Sequence, residues 1–166
     1  VVIDVDVEEQ PTGSFNFGGS FSNNDGFGIA IKFNEDNFLG RGQKLSLAVS
    51  TASEATRYGL SFVEPALLGR DLTFGLDLDY AETNSTFSSF DTERFIFRPS
   101  LTFPISENGR LSLRYTAEGN EMVARETPEH GLTIQDDIDA GVQWSSALGY
   151  EYTYDTRRSG LDPTQG

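Results

Sequence analysis

His130 is the only histidine and the first candidate for acid–base chemistry. It falls in a loop with no Cys or Ser partner that would suggest a triad. The chain has no cysteine, which removes a thiolate nucleophile, a thiolate metal site and a disulfide frame. Asp136, Asp137 and Asp139 offer the hard oxygens that divalent cations take, but the full calcium-loop spacing is missing. With Glu118, Glu121, Glu126 and Glu129 set against Arg125, they read as a solvated acidic loop. Gly40-Arg41-Gly42 is not a phosphate loop, because no helix follows it. Asn84-Ser85-Thr86 fits a glycosylation sequon and reads as a chance match. Twelve Lys and Arg against 26 Asp and Glu leave a formal charge of −14, which argues against the basic face that nucleic acid requires. These residue types predict no enzyme, no metal and no cofactor.

The elements that would position any site are set by a period of two. Val1, Ile3, Val5 and Val7 alternate with Asp4, Asp6 and Glu8, forming one leading strand. After Pro11, eight more segments alternate, starting with Phe15, Phe17 and Phe21 against Asn16, Gly18, Ser20 and Ser22. The others centre on Phe27–Phe33, Leu45–Val49, Tyr58–Phe62, Leu72–Tyr80, Phe95–Phe103, Leu111–Tyr115 and Leu148–Tyr154. No segment shows helical periodicity. Residues 126–130 and their neighbours are expected to lie in one long loop from about Glu118 to Gln143.

Successive side chains of a strand point to opposite faces, so each strand has an apolar face and a small or polar one. Such a pattern fits a soluble β-sandwich with its apolar face inward, or a membrane barrel with its apolar face outward. Two features favour the barrel. The polar face is unusually small, dominated by Gly, Ala, Ser and Thr. It also sets Lys32, Arg94, Arg98 and Arg114 beside Asp77, Asp79 and Glu151, as a hydrated barrel interior would. No run of about 18 apolar residues offers a membrane helix. The predicted fold is therefore an all-β, antiparallel, up-and-down transmembrane β-barrel segment of about eight strands, preceded by one periplasmic strand.

Asn37-Phe38-Leu39-Gly40-Arg41-Gly42 is echoed 29 residues on (70 − 41) by Leu67-Leu68-Gly69-Arg70. Two membrane strands of about 9–11 residues and a short turn return the chain to the same rim at that interval. The two motifs thus read as equivalent periplasmic turns, the second starting near Glu64 and Pro65. Gly109-Arg110 opens the next upward strand. On the opposite rim the connections Asn23–Gly26, Ala52–Thr56, Glu82–Thr92 and about Glu118–Gln143 are expected to lengthen along the chain. Phe38-Leu39 and Leu67-Leu68 fit either a place at the membrane boundary or a plug in the barrel floor.

The run Val5–Ser22 resembles the junction, in BamA-type outer-membrane assembly factors, between the last POTRA domain and barrel strand one. Asn37–Gly42 and Ser61–Arg70 look like that family's first two periplasmic turns, and Tyr152–Gly166 like the turn before strand nine. The resemblance implies that residues 1–11 end the last POTRA domain and that residues 12–166 are the first eight strands of a sixteen-stranded barrel. It implies a bacterial outer-membrane location and a piece of a longer protein, expected also from a start at Val1 without Met or signal peptide. The implied partners are nascent outer-membrane proteins, assembly-complex lipoproteins, and lipid and lipopolysaccharide, to which cations on the acidic loop would bridge. The implied function is templating and insertion of nascent barrels through a weak strand one: Gly13, Ser14, Phe15, Asn16, Phe17, Gly18, Gly19, Ser20, Phe21 and Ser22. Its glycines suit either a gate or the relief of crowding in a narrow wall. An autonomous eight-stranded structural or adhesin barrel and a related partner-secretion transporter are the alternatives. Alone, the segment is expected to close on itself or to pair edge to edge through strands one and eight.

Overall fold

The computed structural model describes residues 8, 10–23, 26–84, 88–125 and 131–157. Several expectations lie outside these residues: the strand of Val1 to Val7, Asn24 and Asp25, Ser85 and Thr86, Glu126, Glu129 and His130, and the segment 158–166. Eight strands form one antiparallel sheet in chain order. They are β1 (Gly13–Ser22), β2 (Gly26–Phe38), β3 (Gln43–Ala52), β4 (Ala55–Glu64), β5 (Thr73–Thr83), β6 (Phe90–Pro104), β7 (Gly109–Ala124) and β8 (Gln143–Tyr154).

The register places like with like. One continuous row runs Phe17, Ile31, Val49, Tyr58, Tyr80, Phe95, Gly119, Trp144 across all eight strands. The neighbouring row on the opposite face runs Gly18, Ala30, Ser50, Arg57, Ala81, Arg94, Asn120, Gln143. The alternation read from sequence is therefore a true division into two faces. A slip of one residue in any strand would put its Phe and Leu side chains among the charges.

Among the described residues no second layer covers the apolar face. Among the described residues only Ala55 (4% exposed) and Ile96 (8%) are buried hydrophobics. Phe21 is 77% exposed and Leu148 86%, at the two edges, and Leu47, well inside the sheet, is still 39% exposed. A sandwich in water would bury these side chains at roughly 1.5–3 kcal/mol each. The soluble alternative is thus excluded, and the apolar face is the solvent-facing side of a protein whose solvent is hydrocarbon.

Three expectations are corrected. Strand β7 continues to Ala124, so Glu118 and Glu121 belong to a strand and not to the long loop. The small outward residues Ala117 and Gly119 interrupt the apolar signal there, although the ladder to β8 includes both. A helix, α1 (Leu132–Asp139), occupies part of the expected loop and carries Asp136, Asp137 and Asp139. Eight residues are about two turns, too few for a periodicity to show. The distal connections do not lengthen steadily, since only residues 53–54 join β3 to β4.

Proline and glycine sit where the ladder tolerates them. The β6–β7 register passes from Phe97–Ala117 to Ser100–Arg114 without pairs for Arg98 and Pro99, because proline has no N–H to give. Gly119 leaves room for the Trp144 ring, which an added Cβ would approach to 3.2 Å. Trp144 in turn meets Phe95 edge-on at 6.3 Å, an arrangement aromatic pairs favour.

The two faces predict opposite responses to charge. Leu60→Arg on the apolar face should cost about 2–4 kcal/mol near the bilayer midplane, whereas Ser61→Lys on the polar face should be close to neutral. Reversible urea unfolding in lipid vesicles measures both. Equal costs would show that the faces have been assigned wrongly.

Candidate functional site

Strand β1 pairs with β2 over ten consecutive residues, from Gly13–Glu35 to Ser22–Gly26, without a bulge. Among the described residues no strand pairs with its other edge, and the sheet runs from β1 to β8. The ladder between β1 and β2 thus has no break. Glycine loses entropy on ordering but keeps its N–H and C=O, so the ladder stays whole. Among the described residues β1 has one neighbour, and its Phe15, Phe17 and Phe21 stand exposed on the uncovered apolar face, as Phe27 of β2 does.

The glycines of β1 divide by what surrounds them. A Cβ at Gly18 would meet nothing within 4 Å, and at Gly19 only the Gly28 carbonyl and the Phe27 ring at ordinary contact distance. Crowding within this sheet does not require either glycine. At the start of the strand the chain is tied down. Thr12 donates its hydroxyl to the Glu35 carboxylate, and Asp36 N–H donates to the Thr12 carbonyl at 3.1 Å. Asn34 Nδ2 donates to Ser14 Oγ at 3.3 Å. The near end of β1 is thus fastened to the first turn, while its far edge carries no strand.

The two turns are equivalent over a longer stretch than their shared sequence. Glu35 accepts the N–H of Asn37 at 2.9 Å, and Glu64 accepts that of Ala66 at 3.0 Å. Gly40 donates to Asn37 at 2.9 Å and Arg41 to Phe38 at 3.3 Å; Gly69 donates to Ala66 at 2.8 Å and Arg70 to Leu67 at 3.2 Å. Every pair is offset by 29 (64 − 35). Glu35 is thus a turn residue that sequence reading missed, and carrying the 29-residue offset upstream from Glu64 would have found it. Leu39 (φ 56°) and Leu68 (φ 58°) are both left-handed, each followed by a left-handed glycine, Gly40 (70°) and Gly69 (69°). Each apolar pair splits: Phe38 and Leu67 are half-buried, while Leu39 and Leu68 are exposed.

The polar face gathers part of the predicted charge set. Lys32, Asp77, Asp79 and Arg98 line one shallow groove of about 360 Å3, floored by Ser46, Ala48, Gly59 and Ser61. Arg94 forms a two-pronged ion pair, both contacts 3.0 Å, with Glu118, the residue expected in a loop. Arg114 rests against Gly149, and Glu151 stands opposite Ser112; neither joins the groove. Small side chains at Ala48 and Gly59 thus leave a recess with charges of both signs on its walls. At the rims, Arg110 binds Asp71 at 2.9 Å and Arg125 binds Asp91 at 2.5 Å. Beyond β8, the Arg157 side chain and N–H hold the Asp155 carboxyl at about 2, well below its ordinary range.

Residues 37–166 match the family model of the Omp85 superfamily domain. The chain is 38% identical over 92 residues to a putative outer membrane protein assembly factor of Treponema pallidum, covering 51% of this chain and 11% of that protein. It is 25% identical over 158 residues to the outer membrane protein assembly factor BamA of Neorickettsia risticii, covering 90% of this chain and 20% of that protein. A BamA of Nitratidesulfovibrio vulgaris is 26% identical over 170 residues, covering 100% of this chain and 20% of its own length. The chain thus spans a fifth or less of these relatives. In fold it is similar to the crystal structure of BamA from Haemophilus ducreyi lacking POTRA domains 1–3, with a TM-score of 0.60 at 22% identity, covering 96% of this chain and 33% of that one. With eight antiparallel strands that match part of a BamA barrel, and an apolar face open to lipid, the chain belongs to the Omp85 superfamily, is of BamA type, and resides in the bacterial outer membrane.

Proposed function

We propose that the chain supplies the strand-pairing edge of an outer-membrane protein assembly factor, with β1 (Gly13–Ser22) as lateral gate and template for nascent barrels. The observation that carries this reading is the unbroken ten-pair ladder of β1 with β2, which contains two glycines, Gly18 and Gly19, that packing in the sheet does not require. In hydrocarbon an unpaired backbone N–H or C=O costs several kcal/mol. A strand entering the membrane lowers that cost by adding to an existing edge. The edge offered by β1 is long enough for one membrane strand, and its near end is fastened at Thr12 and Glu35. Gly18 and Gly19, which packing in the sheet does not explain, let an incoming backbone approach closely.

In the same reading, residues 1–11 end a periplasmic POTRA domain. Assembly-complex lipoproteins and lipopolysaccharide are partners of the whole protein, and no covalent chemistry is involved. The names of the relatives favour assembly over secretion of a dedicated partner. An autonomous eight-stranded barrel would require β8 to pair with β1, and the strand order leaves the two at opposite ends of the sheet.

Photo-crosslinking residues at Asn16, Phe17 and Gly18 should trap the terminal strand of a nascent barrel during its insertion into vesicles. The same residue at Leu60, inside the sheet, should trap none. Equal yields at β1 and at Leu60 would remove β1 as the template. The 166-residue chain alone in detergent should meet its two open edges by closure or edge-to-edge pairing. Cysteines stepped along β1 and β8 should then form disulfides quickly, within a monomer or between two copies. A monomer with fast amide exchange in both strands contradicts this.

A further inference from the structure

Leu39 and Leu68 are in the wrong conformation for leucine, and twice over. A left-handed backbone costs an L-residue roughly 1–2 kcal/mol, and tight turns with this geometry ordinarily carry Asn or Gly. Both leucines are also strongly exposed, at 73% and 85%. Among the described residues nothing packs over either. Two residues on, in each turn, comes an arginine, Arg41 and Arg70; neither forms a salt bridge among the described residues, although Arg41 acts electrostatically on the Glu64 carboxylate. The third turn on this rim provides the contrast. It has no left-handed leucine, and its arginine, Arg110, is held by Asp71 at 2.9 Å.

Depth identifies what covers the leucines. The first turn joins β2 (13 residues) to β3 (ten residues), and the second joins β4 (ten residues) to β5 (11 residues). A tilted strand needs about 9–11 residues to cross the hydrocarbon, and the headgroup layer adds about 5–7 Å on each side. Turns that follow directly on such strands lie in that headgroup layer. An aliphatic side chain there reaches the acyl boundary, and a guanidinium nearby reaches lipid phosphate.

We infer that the Leu-Gly-Arg tips of the first two turns are membrane-surface anchors: Leu39 and Leu68 dip into the periplasmic leaflet, and Arg41 and Arg70 bind its phosphates. In each turn the left-handed leucine stands exposed while its neighbour, Phe38 or Leu67, is half-buried. This goes beyond the templating role of β1 and does not depend on it; it requires only that the sheet be embedded in a bilayer.

The test uses the intact protein in phospholipid vesicles, with any cysteine outside this chain replaced. An environment-sensitive fluorophore is attached at Leu39→Cys, Leu68→Cys or, in the third turn, Asn108→Cys. Lipids with a quencher near the headgroup should quench the first two at least about twofold more than the third, while aqueous iodide should favour the third. Iodide quenching at 39 and 68 equal to that at 108 overturns the inference, because the tips then face water. Protection from both quenchers overturns it too, because protein then covers them. Both readouts are independent of whether β1 templates anything.

Discussion

Backbone hydrogen bonding in a solvent that offers none governs this molecule. In hydrocarbon every N–H and C=O must be satisfied within the protein, which leaves a sheet only two conditions: closed, or edged by something that completes it. The six inner strands meet this requirement on both sides through registered antiparallel ladders. Two interruptions are seen among the described residues: the β6–β7 gap at Arg98 and Pro99, where proline has no donor to leave unpaired, and a register shift in β2 between Glu35 and Phe38, at its turn end. With the ladder carrying the fold, no buried core is needed, and Ala55 and Ile96 are its only described hydrophobic candidates.

Most of this architecture is legible in the sequence because its physics is local. A side-chain period of two follows from backbone geometry alone, and the alternation of Phe, Ile and Leu with small polar residues marks each strand, β1 down to its boundaries at Gly13 and Ser22. The second rule, that turns recur once per two crossings, is also arithmetic and places both Leu-Gly-Arg turns. The failures share a cause. β7 beyond Tyr115 has Ala117 and Gly119 where an apolar residue was sought, since the Trp144 ring fills that space from the next strand. Ile96 breaks the polar face for the opposite reason: it stands between Asp79 and Glu118 and is covered by them and their neighbours. In both cases the residue type is set by a cross-strand neighbour that sequence order does not reveal.

The charge set shows the same limit. Residue types and alternation put Lys32, Asp77, Asp79, Arg94, Arg98, Arg114 and Glu151 on one face, but which of them meet depends on register. Only the first three and Arg98 share a groove, while Arg94 takes Glu118 as its partner. An exposed ion pair of this kind contributes at most about 1 kcal/mol. Its value lies in placing opposite charges on adjacent strands, which disfavours any slipped register.

The distribution of strain follows from the same constraint. A break in a ladder within hydrocarbon costs several kcal/mol, whereas a left-handed leucine costs roughly 1–2. Backbone irregularity is therefore confined to where water or headgroups can satisfy it. The described positive-φ residues fit: Gly26, Leu39, Gly40, Gly42, Leu68, Gly69 and Gly141 all lie at strand ends or in connections. β1 pairs without a bulge, whereas β2 shifts register between Glu35 and Phe38 at its turn end. An edge that is to accept another strand has to be regular, since a bulge would misalign every donor beyond it. In the proposed role, the continuity of β1 aligns its donors and acceptors with those of an incoming strand.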